Sequence, residues 1–476
     1  MEVKRRWELP VIILLAALLI ASPFGGCKPN TAIPLPKVGD KFLVYLDVEI
    51  EDSSAVTGGK VTAVRGTASA AEAETAAGKG KSAAPKTQPG VLHEALVLPV
   101  EIGRVDEALL SQLKDGRFWL LFGENKKMVG KFSEDRGRTW SETQELETVD
   151  GRGIELAQDV PHHSLVCLKS GKLGLVYGGP LSRPGRDGTV CFRTSSDDGK
   201  MWSDLVFIDP LFAVSRNQAA RVLRSGRILV PVMKWVSTTT GTDAEETGSH
   251  FPYSWVYYSD DEGKTWNRSL SELLIGLDEG KAGHYGAEEV VVEELKDGTV
   301  LLYGRTEFGR PYQSFSKDGG ISWSPLQPVE LASSYSPHTF ARIPTTGDLL
   351  LVWNQASPKE SVSGLQRHRL STAISQDEGK TWKHFRNLES LDDRTRIEPP
   401  TGPPKVYRAI AEVQPTDHRK YPRAPGVLRI SYPTVVVTDD EVAIVYDYGQ
   451  RYQSPLKKGH ATKIKIVSVD WLYERE

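Results

Sequence analysis

The sequence predicts an all-β chain folded as a six-bladed β-propeller of four-stranded antiparallel blades. Three observations lead there. An eight-residue box recurs five times at near-constant spacing. An apolar hairpin pattern precedes every copy, and a sixth such hairpin near the C-terminus has no box after it.

The box reads Ser-x-Asp-x-Gly-x-x-Trp and occupies residues 133–140, 195–202, 259–266, 316–323 and 375–382. Its tryptophans lie 62, 64, 57 and 59 residues apart, the period of one supersecondary unit. The Ser and Asp side chains suit bonds to nearby amides in a turn, and Gly suits a left-handed backbone. Burying the indole contributes several kcal/mol, at about 25 cal/mol per Å² over roughly 200 Å². The acidic residues of the box therefore read as structural rather than calcium-binding or catalytic.

The hairpin turns fall at 113–116, 168–171, 223–226, 295–298 and 344–348, with Asp-Gly or Ser-Gly in the first four. The sixth hairpin spans 435–446. Each unit reads strand, turn, strand, variable loop, strand, box, strand, and is stable only against its neighbours. The sixth blade lacks one strand. Residues 90–100 are expected to supply it and close the ring.

Upstream of the propeller, residues 1–27 read as a signal peptide. Lys4, Arg5 and Arg6 precede an apolar run from Val11 to Ile20, shorter than the roughly 20 residues of a membrane span. The run ends in Phe24-Gly25-Gly26-Cys27, which resembles a bacterial lipobox with Cys27 as the lipidated residue. That implies export to the cell envelope, lipid-anchored at Cys27 or otherwise periplasmic or secreted. Residues 28–90 read as a flexible low-complexity linker, Pro-rich at first, with one strand at 41–50, then rich in Ala, Gly, Thr, Ser and Lys. The propeller is assigned to residues 91–476.

A net charge of −3 gives no reason to expect a nucleic-acid partner. Cys167 and Cys191 fit no metal spacing and read as two buried free thiols rather than a disulfide. His162-His163 lacks a metalloprotease context, Gly178-Gly179 opens no helix, and no GxSxG occurs. The sequence calls for no metal and no cofactor.

The boxes are Asp-boxes, and residues of about 91–476 resemble the sialidase (neuraminidase) superfamily. The informative matches lie outside the boxes. The stretch from His284 to Gly320 resembles the sialidase segment with a Glu opening one strand and an Arg ending the next, which selects Glu289 and Arg305. Arg367, eight residues before the box Ser375, resembles the third arginine of the sialidase triad; Arg369 shares its face if both lie in a strand. Tyr432 opens a strand as the nucleophilic tyrosine does. Arg104 matches the first arginine, although Asp106 stands where an Arg-Ile-Pro motif has Pro.

The sialidase acid/base loop is reduced to Glu124-Asn125-Lys126-Lys127 and has no Asp. Asp106, Glu124, Asp159 and His162 are the candidates for that role, with Asp106 first. The resemblance implies an exo-acting glycoside hydrolase that removes a carboxylated sugar such as sialic acid. Tyr432 would be the nucleophile, Glu289 its base, and Arg104, Arg305 and Arg367 the carboxylate clamp. The alternative is a catalytically impaired protein that binds acidic glycans. The implied partners are sialylated or other acidic glycans, with membrane contact only through the N-terminal anchor.

Overall fold

A computed structural model describes residues 90–102, 107–156, 162–182, 188–237, 250–277, 284–362, 365–390, 395–407, 427–451 and 458–473. The expected signal peptide, the linker with its strand at 41–50, and Arg104, Asp106 and Asp159 all fall outside these residues.

Six four-stranded antiparallel sheets form the blades of a propeller. Blade one contains Leu109–Gln112, Phe118–Glu124, Lys127–Ser133 and Gln144–Glu145. Blade two contains Ser164–Cys167, Leu173–Ser182, Gly188–Ser195 and Val206–Ala213. Blade three contains Arg221–Val222, Ile228–Ser237, His250–Ser259 and Asn267–Arg268. Blade four contains Glu288–Glu294, Val300–Arg305, Tyr312–Ser316 and Gln327–Pro328. Blade five contains Thr339–Arg342, Leu349–Asn354, Leu370–Ser375 and Lys383–Glu389. Blade six contains Val427–Val437, Glu441–Arg451 and Lys458–Ser468, and the N-terminal strand Val91–Ile102 pairs with the last of these. The ring therefore closes by joining the two ends of the propeller sequence in one sheet.

The second strands are apolar almost throughout because neighbouring blades cover both faces. Leu349–Asn354 reads Leu-Leu-Leu-Val-Trp-Asn and is buried at every position. The packing is correspondingly between blades. One cluster joins Leu350 and Ile374 of blade five to Ile444 of blade six, and another joins Phe118 and Leu120 of blade one to Ile464 and Ile466 of blade six.

In every box the Ser hydroxyl bonds the Asp carboxylate and receives the Gly amide, at 2.7–2.9 Å. The box glycine has a second duty. Gly263 in blade three, at φ +86°, lies where an added Cβ would fall on the Phe192 ring of blade two. The boxes also sit away from the site described below. In blade four the box Ser316 pairs with Val300, whereas Arg305 at the other end of that strand pairs with Glu288.

Cys167 departs from the expected pair of buried thiols. It is exposed, while Cys191 is buried, and both are free. The burial of Ser164–Cys167 alternates, so Ser164 and Val166 face inward and Cys167 does not. Reading that run as uniformly buried missed the alternation.

The axis is laced by one segment of blade three. The Gln218 side chain accepts from the Val435 amide at 2.8 Å and donates to the Val435 carbonyl at 2.7 Å, reaching blade six. Asn217 accepts from the His163 amide at 3.0 Å and donates to the Glu107 carbonyl. These bonds hold Arg216 at one end of the ring, the mouth that carries the candidate site.

Candidate active site

Glu107 at φ +37°, His162 at +45°, Glu289 at +44° and Tyr432 at +54° have left-handed backbones at this mouth, as does Gln218 at +56° beside Arg216. Such conformations cost about 1–3 kcal/mol each and persist where the surroundings over-determine them. Their effect is local. In blade four the register shifts between Glu288 and Val291, so the two adjacent glutamates escape strict alternation and both reach Arg305. The strand carrying Tyr432 shifts register between Ser431 and Thr434.

The Tyr432 hydroxyl lies 3.4 Å from Glu289 Oε1. Arg305 donates from Nη2 to Glu288 Oε2 at 2.8 Å, and its Nη1 lies 2.6 Å from Glu289 Oε2. Arg216 pairs with Glu289 through Nη2 and with Glu107 Oε2 through Nη1 at 3.3 Å. Its Nη1 also stands 2.8 Å from His162 Nδ1. The guanidiniums of Arg367 and Arg216 lie 5.0 and 5.5 Å from the centre of the Tyr432 ring, and that of Arg305 lies 4.1 Å from the centre of the Tyr335 ring.

Burial alone would weaken the charges of Arg216 and Arg305. Glu289 foremost, with Tyr432 and Glu107 around Arg216 and Tyr335 and Glu288 around Arg305, together more than offset it, and both arginines stand above their ordinary pKa. Burial, aided by the Arg216 charge, pushes His162 below its usual value despite Glu107. Burial and the neighbouring Glu288 push the Tyr335 phenol well up. The mouth thus holds glutamates paired to cations, an imidazole biased to neutrality and a phenol beside a proton acceptor.

Of the residues selected from sequence, Glu289, Arg305, Arg367 and Tyr432 meet at this mouth, brought from blades four, five and six. Arg369 does not join them. It is buried and turned to Glu360, with Nη2 3.1 Å from Glu360 Oε1. The premise that Arg367 and Arg369 share a strand face fails because the strand begins only at Leu370. Glu124 ends a strand at the tight Asn125-Lys126 turn, where Glu124 pairs with Lys127. His162 is at the mouth, on Glu107 and Arg216.

A family model described as BNR repeat-like domain matches residues 170–444, more than half of the chain. The chain belongs to the BNR repeat-like domain family. Within the sialidase superfamily, this BNR-repeat propeller has several relatives. The anhydrosialidase of Macrobdella decora is 26% identical over 204 residues, which are 40% of this chain and 23% of the relative, so the match spans less than a quarter of that protein. Among solved structures, a protein of unknown function from Dyadobacter fermentans DSM 18053 superposes with a TM-score of 0.51 at 16% identity, over 80% of this chain and 100% of its own. The intramolecular trans-sialidase of Ruminococcus gnavus gives 0.51 at 13% identity, over 82% and 100%. At these identities the structural likeness concerns the fold.

The BNR-repeat propeller carries three mouth residues that the sequence reasoning did not select: Arg216, Glu107 and Tyr335. None lies in a repeated motif. The one available signal was position, since Glu107 and Arg216 each stand a few residues before the first strand of a blade. The Pro-rich insertion after blade five also reaches this end. Its residues 395–407 cross to blade four, where the Tyr407 amide donates to the Glu307 carbonyl at 2.8 Å, two residues beyond Arg305.

Proposed function

We propose that this protein is an exo-acting, sialidase-like glycoside hydrolase that removes a carboxylated sugar such as sialic acid from glycans with retention of configuration. The observation that carries the reading is the Tyr432 hydroxyl 3.4 Å from Glu289 Oε1, ringed by Arg216, Arg305 and Arg367 at one mouth. A sialic acid bears its carboxylate on the anomeric carbon, and guanidiniums hold such a group by charge-assisted bonds of about 1.5–3 kcal/mol each. An anionic nucleophile would be repelled by that carboxylate. A neutral phenol that loses its proton to Glu289 as it attacks avoids the repulsion.

In this reading Tyr432 Oη bonds to the anomeric carbon while Glu289 takes its proton. The leaving oxygen receives a proton from Asp106, the residue before Glu107, and water then releases the sugar from Tyr432. Arg104, Arg305 and Arg367 hold the substrate carboxylate. The protein acts outside the cytoplasm, exported and anchored through Cys27, on sialylated or other acidic glycans.

A second reading, a binding protein without turnover, is favoured by one observation. The turn Glu124–Lys127 leaves no loop between the second and third strands of blade one to carry an acid. An activated aryl sialoside needs little proton donation and a natural sialoside needs much. Turnover of both by the purified protein supports the hydrolase, and turnover of the aryl substrate alone indicates a crippled acid. Sialic acid binding without turnover of either substrate supports the second reading, and absence of both sinks the two together.

A further inference from the structure

We infer that Arg216, borne by blade three, is a positioning residue that fixes Glu289 as the proton acceptor of Tyr432. The inference rests on the reading of Glu289 as that base and adds a residue to it.

The geometry is specific. Arg216 is 5% exposed, and its two terminal nitrogens divide their partners, Nη2 to Glu289 and Nη1 to Glu107 and His162. Its own backbone is held independently. Ser215 Oγ donates to the Pro231 carbonyl at 2.9 Å, Ser164 Oγ donates to the Arg216 carbonyl at 3.1 Å, and Asn217 and Gln218 are tied to blades one, two and six. The guanidinium is thus anchored from both ends before any ligand arrives.

Glu289 is the group so held. Facing it are Arg216, Arg305 and Tyr432, with Glu288 beyond Arg305, Tyr335 over Arg305, Arg367 over Tyr432, and Glu107 and His162 behind Arg216. Arg305 alone leaves the carboxylate free to swing about its bond to Nη1. A second cation, paired with Oε1 itself, holds that oxygen beside the phenol. The neutral bias of His162 suits this arrangement, since an uncharged Nδ1 can accept from Arg216 Nη1 without repulsion.

The test uses the whole protein, Arg216→Met, Arg216→Lys and an activated aryl sialoside. Arg216→Met should lower kcat about tenfold with little change in KM, and Arg216→Lys, which returns a cation to the same place, should recover part of that loss. Equal losses in Arg216→Met and Arg216→Lys, or a loss confined to KM, would overturn the inference. Wild-type protein that turns over nothing would sink the hydrolase reading instead. An infrared difference spectrum against Glu289→Gln would still decide the inference. The carboxylate stretch of Glu289 should differ between wild type and Arg216→Met at one fixed pH, and coincident bands overturn the proposal.

Discussion

Replacing Tyr432 by Phe separates the chemistry of the mouth from its architecture. The hydroxyl makes its bond to Glu289 at 3.4 Å, the weak end of the hydrogen-bond range. Its loss should cost at most about 1 kcal/mol of stability. Glu289 keeps both guanidiniums, and the phenyl ring keeps its contacts with Arg216 and Arg367. The left-handed backbone is no worse for Phe than for Tyr. Turnover has no such reserve. Glu289 is covered by Arg216 and Arg305, and Glu288 is held on Arg305, so neither carboxylate is placed to take over the attack. The expected loss of kcat on an aryl sialoside is at least about a thousandfold, or ~4 kcal/mol of barrier. Urea denaturation run beside the assay shows whether the fold is intact. A Tyr432→Phe protein that unfolds like wild type and keeps activity within about tenfold would refute the nucleophile.

Gly263→Ala combines a left-handed backbone with a Cβ on the Phe192 ring and should cost about 2–5 kcal/mol, read as a lowered urea midpoint; an unshifted midpoint would show that the box glycine does not seat one blade on the next. Arg367→Met should lower kcat/KM about ten- to a hundredfold with little change in stability, whereas Arg369→Met strands Glu360 with His368 and should cost about 3 kcal/mol of stability; the reverse pattern would exchange the two arginines. His163 and His338 are each lowered by burial to about 3 from 6.5, so the unfolded chain takes up their protons first. Stability is then whole above about pH 6.5 and falls with pH by about 1.4 kcal/mol per unit for each histidine, a slope that His163→Gln should reduce by one proton's worth.

What the sequence disclosed follows from what repeats. The box needs Ser, Asp, Gly and Trp at fixed offsets because Ser and Asp bond amides within one turn, Gly takes its left-handed backbone and Trp packs beside it, so five copies expose the blades. The hairpins between the first and second strands are legible for the same reason. Glu289, Arg305, Arg367 and Tyr432 could be selected because they stand, relative to those landmarks, where the sialidase resemblance places its site residues. Strand periodicity misled where regular strand was absent. Arg367 and Arg369 diverge before their strand begins, and Glu288 and Glu289 converge on Arg305 because a bulge breaks alternation. Glu107 and Arg216 escaped notice because each precedes its blade on irregular backbone, where no period assigns a face. Only the closed ring brings those two segments together.

That dependence on closure has a mechanical consequence. Tyr432 stands on the innermost strand of blade six, and the outermost strand of the same sheet is Val91–Ile102, from the other end of the propeller sequence. Glu289 belongs to blade four, so the 3.4 Å approach of phenol to carboxylate spans two blades. No single blade fixes it. The strain of the left-handed residues at the mouth is carried by the same ring, through bonds such as Gln218 to Val435 that cross the axis. Blade six is complete only when the N-terminal strand is in place, and the site therefore draws its precision from a pairing made at the rim. A loosened N-terminal strand should degrade the Tyr432–Glu289 contact before it unfolds the blades that bear the boxes.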